Sequence, residues 1–252
     1  MASEPFGGGR RVPSRWKISY SNITAAAAGK RLGFRIAHLY SRMVPVQHML
    51  DNSALEGLGA ETISKTKETI YDNLVRHILV EGYPAEGNED FGERNVNDLV
   101  YAMIIPILSD FIRCQVGNQV GRKRDVQLRR EKVIVSTDGE TGGKEEFVVV
   151  DLISVTEEKF LLIIEAKRPS LENAMKQCLL AMKDAGDNNS EGKVYGFVTT
   201  GESWRMLSYD GRDFGVTRKF ELLFEGMDQD KELWMKDYSA LVECMYFALK
   251  TA

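Results

Sequence analysis

Two apolar runs in the middle of the chain end in charge. Val148, Val149 and Val150 lead into Asp151, and Leu161, Leu162, Ile163 and Ile164 lead into Glu165-Ala166-Lys167. Successive strand side chains point to opposite faces, so Glu165 and Lys167 share one face with Ala166 on the other. If strands at 146–153 and 160–167 pair as a hairpin, Asp151 is expected near Glu165. Two adjacent carboxylates repel each other, and desolvation adds to the cost. A hard divalent cation removes it: Mg²⁺ takes one or two carboxylates and retains several waters. Such an ion polarises a phosphate and lowers the pKa of a bound water. Lys167, one pleat along, is placed to orient an attacking water or to neutralise developing phosphate charge. The chemistry these residues suit is metal-assisted hydrolysis of a phosphodiester. A bare Glu-x-Lys triplet is common and usually caps a strand with a surface salt bridge. The fuller pattern is more specific, because an acid ends one apolar strand, Glu-x-Lys ends the next fourteen residues later, and a helix follows at once.

The elements that must position these groups are read from periodicity and punctuation. Residues 22–50 favour short helices broken by Gly29 and Gly33. Ile63, Ile70, Leu74, Val75 and Ile78 recur at helical spacing, which predicts an amphipathic helix over 61–80. A polar loop (81–93) follows, then a helical stripe from Val96 to Phe111, expected to kink at Pro106. Alternation predicts a strand at 124–136, and "DGETGGK" (138–144) reads as a turn before strands at 146–153 and 160–167. Pro169 ends the last of these, and Ser170 caps a helix running to about 184. Two more strands (194–200 and 203–209) meet at Gly201, "DGRD" (210–213) turns the chain, and 229–249 is helical. The apolar face of that last helix packs on the sheet by default, with a homodimer seam as the alternative. Valine-rich runs without alternation fit strands buried on both faces. The expected fold is α/β, a central mixed sheet flanked by helices. It divides into a flexible basic N-terminus (1–20), a helical extension (21–93) and the main domain (94–252).

Composition narrows the function classes. The chain has 252 residues, 43% hydrophobic, and a net charge of -4, ordinary for a globular protein and unlike one that coats nucleic acid. No apolar run approaches the roughly 20 residues of a membrane span, and "MASEPFGGGRRVPSRWK" carries no apolar stretch of the kind a secretion signal needs. Cys114, Cys178 and Cys244 are odd in number and widely spaced, which fits neither a disulfide framework nor a metal-ligand spacing. The expected setting is intracellular, cytoplasmic or nuclear, with no membrane partner. Arg122, Lys123, Arg124, Arg129, Arg130 and Lys132 crowd one segment; they either track a phosphate backbone or solvate an edge strand. Trp204 and Tyr209 read as core rather than as base-stacking groups.

The stretches "NDLVYAMIIPIL" (97–108), "VVVDL" (148–152), "IIEAKRP" (163–169) and "GFVTTGESWRMLSYDG" (196–211), together with Gln177, resemble the PD-(D/E)XK nuclease superfamily. The resemblance is to nuclease domains of type I restriction motor subunits and to nuclease-like domains of Crinkler-type effectors. It covers about 95–211 and implies a restriction-endonuclease-like core of helix, three strands, helix and strand. It also implies Mg²⁺ or Mn²⁺ as cofactor and nucleic acid as substrate, DNA first and RNA second. Asp151 and Glu165 would bind the metal, Lys167 would be the catalytic lysine, and Gln177 would support the site. The glutamate expected on the first helix aligns with Asp98, with Glu93 and Asn95 as the other candidates. Thr200 stands where the pattern has asparagine, and Ala181 breaks a Gln-x-x-x-Tyr pattern. The alternatives are a nuclease-fold module that has lost catalysis and binds nucleic acid or protein, and an oligomeric interaction protein.

Overall fold

Val148, Val149 and Val150 are wholly buried, and so are Leu161, Ile163 and Ile164, because the sheet they belong to is covered on both faces. The computed structural model describes residues 15–50, 59–84, 88–117, 123–168, 170–189 and 192–252. In chain order the elements begin with β1 (Ile18–Ser19), α1 (Ala25–Leu32), a 3₁₀ segment (Ile36–Arg42) and α2 (Val46–Met49). Then come α3 (Ala60–Glu81), α4 (Glu93–Gly117), β2 (Val126–Val135), β3 (Thr141–Leu152), β4 (Glu158–Ala166) and α5 (Leu171–Asn188). The chain continues through β5 (Val194–Thr199), β6 (Ser203–Tyr209), β7 (Phe214–Val216) and β8 (Phe220–Glu221). It closes with α6 (Lys231–Leu233), a π turn (Trp234–Tyr238) and α7 (Ala240–Thr251).

The strands form one open, mixed, eight-stranded sheet in the order β1-β3-β4-β5-β6-β7, with β2 also on β3 and β8 also on β6. β4 and β5 are parallel, joined by α5 as crossover; β2–β3, β3–β4 and β5–β6 are antiparallel. On one face α3, α4 and α7 pack over Phe147, Ile164, Phe197 and Trp204. On the other, α5 and α1 pack over Val148, Ile163 and Val198. Each such side chain, fully buried, contributes roughly 1.5–3 kcal/mol, so the two apolar layers fix where the strand ends must lie.

The five strands and the long helices of the sequence reading are present in the expected order; the short strands β1, β7 and β8 are not among those expected, and four further details differ. Gly29 lies inside α1 rather than breaking it; Gly33, at φ +81°, is the residue that stops the helix. Pro106 lies inside α4, which continues past it to Gly117. α4 is long and apolar enough by length and composition to cross a bilayer, yet its stripe of Val96, Leu99, Val100 and Met103 is buried in the core. Finally, the N-terminal region is not a separate appendage. Ile23, Ala28, Leu32 and Leu39 share one core with α5, and Ile70 and Leu74 share the other with α4 and α7. Of the basic N-terminus, residues 1–14 lie outside the described residues. Lys17 pairs with Glu140 at 2.5 Å, and β1 pairs with Thr141 and Gly142 of β3. There the rings of Trp16 and Tyr20 lie across Gly142 and Gly143. A Cβ on either glycine would stand only 2.8 or 2.5 Å from a ring atom, so the sheet accepts this arm because those two residues have no side chain.

Candidate active site

β3 exchanges its neighbour part-way along. β2 runs beside it from Gly142 to Asp151. On its other side β4 pairs only with Phe147 to Leu152, and β1 only with Thr141 and Gly142. Glu145 and Glu146 stand in the gap between the two partners, opposite the departing end of β4. The backbone there is not left unpaired: the amide of Ala166 donates to Glu146 Oε2 at 2.9 Å, a carboxylate in the place of a ladder carbonyl.

Around that gap the charges converge. Lys167 Nζ lies 2.6 Å from Glu93 Oε1, 3.0 Å from Glu146 Oε1 and 3.4 Å from Glu165 Oε1. Glu145 and Glu165 are buried, at 1% and 2% exposure. Glu145 Oε2 and Glu165 Oε2 have no hydrogen-bond donor among the described residues. Burial first, then the charge of Glu146, raises the Glu165 carboxyl to about 7, against the pull of Lys167. Burial and the neighbouring Glu165 raise Glu145 well above the carboxylate range. Burial also raises Glu146, although Lys167 opposes it. For Lys167, burial alone would favour the neutral amine; Glu165, Glu93 and Glu146 outweigh it and hold the ammonium.

Of the cluster, Glu93 alone also lines a groove of about 830 Å³, whose walls include Arg168, Ser170, Thr200, Ser203 and Lys219. Arg168 is braced by donating to the carbonyls of Asn88, at 2.8 Å, and Phe91. The β5–β6 turn that carries Thr200 is fixed by Gly201 at φ +96°, a conformation that favours glycine. Thr199 Oγ1 accepts from the Gly201 amide at 2.8 Å, and the buried Trp204 indole donates to the Gly201 carbonyl at 3.0 Å.

Asp151 is not part of this cluster. It pairs with Lys159, at the opposite end of the hairpin. Six residues of strand separate Lys159 from Glu165, a distance on the order of 20 Å. The C-terminal ends of two antiparallel partners lie at opposite edges of the sheet, so the expected pairing of Asp151 with Glu165 is geometrically excluded. Asp151 instead accepts from the Asp125 amide at 2.9 Å and fastens the entry to β2. Asp98 is also misplaced. Five residues on from Glu93, it is turned by roughly 140° around α4 and lies 3.8 Å from Arg130. Glu93 is the acid that α4 delivers. Gln177 is half-buried on α5 and is not among the groups that hydrogen-bond Glu165 or Lys167.

The basic segment is likewise divided. Arg122 lies outside the described residues, and Lys123 and Arg129 are exposed. Arg124 donates to the carbonyls of Leu249, at 2.5 Å, and Ala252, at 2.9 Å. The Arg130 guanidinium lies over the rings of Tyr101 and Phe147, and Lys132 pairs with Glu158. Among the described residues, three of the six therefore have partners within the fold.

Comparison with protein-family models and with curated proteins finds no match to this chain. The geometry therefore carries the functional reading. Sequence reasoning found Glu165 and Lys167 and missed Glu145 and Glu146. The signal was present: "KEEF" (144–147) places two acids directly before an apolar run. In an antiparallel hairpin, it is the start of the first strand that faces the end of the second.

Proposed function

We propose that this chain is a metal-dependent nuclease with a restriction-endonuclease-like core, acting on DNA or RNA. The observation that carries the reading is the pair of buried glutamates, Glu145 and Glu165, each with an oxygen that has no partner among the described residues, with Lys167 lying 3.4 Å from Glu165 and 2.6 Å from the groove-lining Glu93. The order α4-β2-β3-β4-α5-β5 agrees with the helix, three strands, helix and strand that the sequence resemblance implies. Among the described residues no three His, Cys, Asp or Glu side chains are arranged to hold an ion; the cation that the carboxylates surround is Lys167. Even so, two buried carboxylates with unsatisfied oxygens suit Mg²⁺ or Mn²⁺, which takes one or two carboxylates and retains waters; Glu145 and Glu165 are the residues that would hold it. When bound, the ion would polarise the phosphate and lower the pKa of a coordinated water. Lys167, drawn from Glu93 towards the groove, would stabilise charge developing on the phosphate. Arg168 and Lys219 would hold the strand on either side, and the buried carboxylates would exclude bulk water from the reacting edge.

A second reading is favoured by one observation: Lys167 is already met by three carboxylates, a closed ion network that would suit a binding module without catalysis. Cleavage of DNA and RNA with Mg²⁺ or Mn²⁺ decides between them. The nuclease reading expects metal-dependent cleavage that falls about a hundredfold or more in Lys167→Ala and in Glu165→Gln. It also expects a metal-dependent rise in the thermal midpoint that Glu165→Gln removes. A wild type with neither cleavage nor a metal-dependent midpoint overturns it in favour of the binding module.

A further inference from the structure

A second cavity, of about 380 Å³, lies where α1 and the 3₁₀ segment meet β7, and none of the groove residues lines it. Its walls bring together Arg42 from the N-terminal region and Arg212 from the β6–β7 turn, with His38 and Asp213 nearby. The remaining walls are apolar: Leu32, Leu39, Phe34 and Phe214. Phe214 is held rigidly, stacked on Tyr209 at 4.3 Å on one side and met edge-on by Phe34 at 5.6 Å on the other. Gly33 also lines it, with a left-handed backbone and nothing within 4 Å of the place a Cβ would occupy.

Some arginines are committed to the fold. Arg31 pairs with Asp138 and Asp184, Arg124 with two C-terminal carbonyls, and Arg205 with the Thr217 carbonyl. Arg42 and Arg212 have no side-chain hydrogen bond or ion pair among the described residues. Two guanidinium-bearing residues lining one cavity without ion pairs suit an anion, and the planar fork of arginine matches the oxygens of a phosphate better than a halide or a single carboxylate. The apolar wall calls for a planar, poorly hydrated part on the same ligand, and Asp213 calls for a hydroxyl or amine donor. A pocket of this volume lies within the range of small-ligand sites.

We propose that this pocket binds a nucleoside phosphate, with the phosphate on Arg42 and Arg212 and the base or sugar against Phe34 and Phe214. The site is independent of the Glu165–Lys167 cluster, and it gives the N-terminal region a role beyond covering the sheet: neither α1 with its 3₁₀ segment nor the β6–β7 turn could form the pocket alone.

The test is calorimetric titration of the full chain with adenosine monophosphate, adenosine and inorganic phosphate. Saturable binding of adenosine monophosphate is expected, with adenosine weaker by about tenfold or more, as loss of charge-assisted hydrogen bonds requires. Inorganic phosphate should compete. Arg42→Ala and Arg212→Ala should each weaken binding by about tenfold or more with unchanged thermal midpoints, since neither side chain is used by the fold. Arg212→Lys should retain part of the affinity, and Lys167→Ala should bind as the wild type does. No saturable binding at millimolar ligand, equal binding of adenosine, or undiminished binding by the double Arg42→Ala/Arg212→Ala variant would each overturn the proposal. Cleavage activity need not be present for any of these measurements.

Discussion

At one end of the β3–β4 hairpin, Glu93, Glu146 and Glu165 crowd one ammonium, and two buried carboxyl oxygens have no donor among the described residues. At the other end Asp151 is just as well buried, at 4% exposure, but accepts from the Asp125 amide. Glu158, also at that end, pairs one to one with Lys132. Burial is the same at the two ends; the difference lies in what each carboxylate faces. A buried carboxylate that meets a backbone donor is a fastening. One that meets other carboxylates is held in an unfavourable state, and such a state is where pKa values are displaced and ions or substrates find a use.

Breaking the two ends separately should give opposite phenotypes. The largest effect expected is on catalysis. Lys167→Ala should lower metal-dependent cleavage about a hundredfold or more, whereas Lys159→Ala, at the far end, should leave the rate within about twofold of wild type. Equal losses in the two variants would erase the distinction.

Next in size is the pH dependence of stability. Glu165 in the folded chain has a carboxyl raised from 4.5 to about 7. Between those values the folded state binds more protons than the unfolded one, so stability must fall as pH rises. The contribution is full below about pH 4.5 and is lost through pH 7, on the order of 2–3 kcal/mol in metal-free buffer. Denaturant titrations at pH 5 and pH 8 measure it, and Glu165→Gln should flatten the slope. A Glu165→Gln slope as steep as the wild type's would show that the displaced proton lies elsewhere.

Asp151→Ala, by contrast, should destabilise the fold by about 1–2 kcal/mol, because the Asp125 amide loses its acceptor. The metal response of the thermal midpoint should be unaltered. Asp151→Asn, which keeps an acceptor oxygen, should recover most of the loss. The smallest effect is expected at the Lys132–Glu158 pair, where Lys132→Ala should cost less than about 1 kcal/mol. A larger loss there would mean that the far end is also a tightly coupled cluster.

Much of the fold was legible because periodicity and punctuation report local structure directly. The α3 stripe, the Ser170 cap of α5 and the Gly201 turn all lie where the residue pattern places them. The site was half legible for a physical reason. Glu165 and Lys167 are two residues apart on one strand, so strand geometry alone relates them. Their partners Glu145, Glu146 and Glu93 arrive through pairing and helix packing, and "DGETGGK" conceals that β3 begins at Thr141. Gly142 and Gly143 read as turn residues, but they are in the strand to admit the rings of Trp16 and Tyr20. The basic segment misled in the other direction. A run of like charges reads as a surface, yet the partners of Arg124 and Arg130 come from distant parts of the chain.

The arm bearing those two rings has a consequence for how the chain is made. β1 is only two residues long, and it pairs with β3 across a separation of 123 residues. Its anchor, the Tyr20 hydroxyl, donates to Asp184 from still farther away. At synthesis rates of 5–20 residues per second, the seat for β1 is translated roughly 6–25 s after β1 itself. During that interval Trp16 and Tyr20 have no β3 to rest on. The segment translated early is thus completed late: it can close only onto a sheet that already exists, and the gap holding Glu145 and Glu146 acquires its second border only when it does.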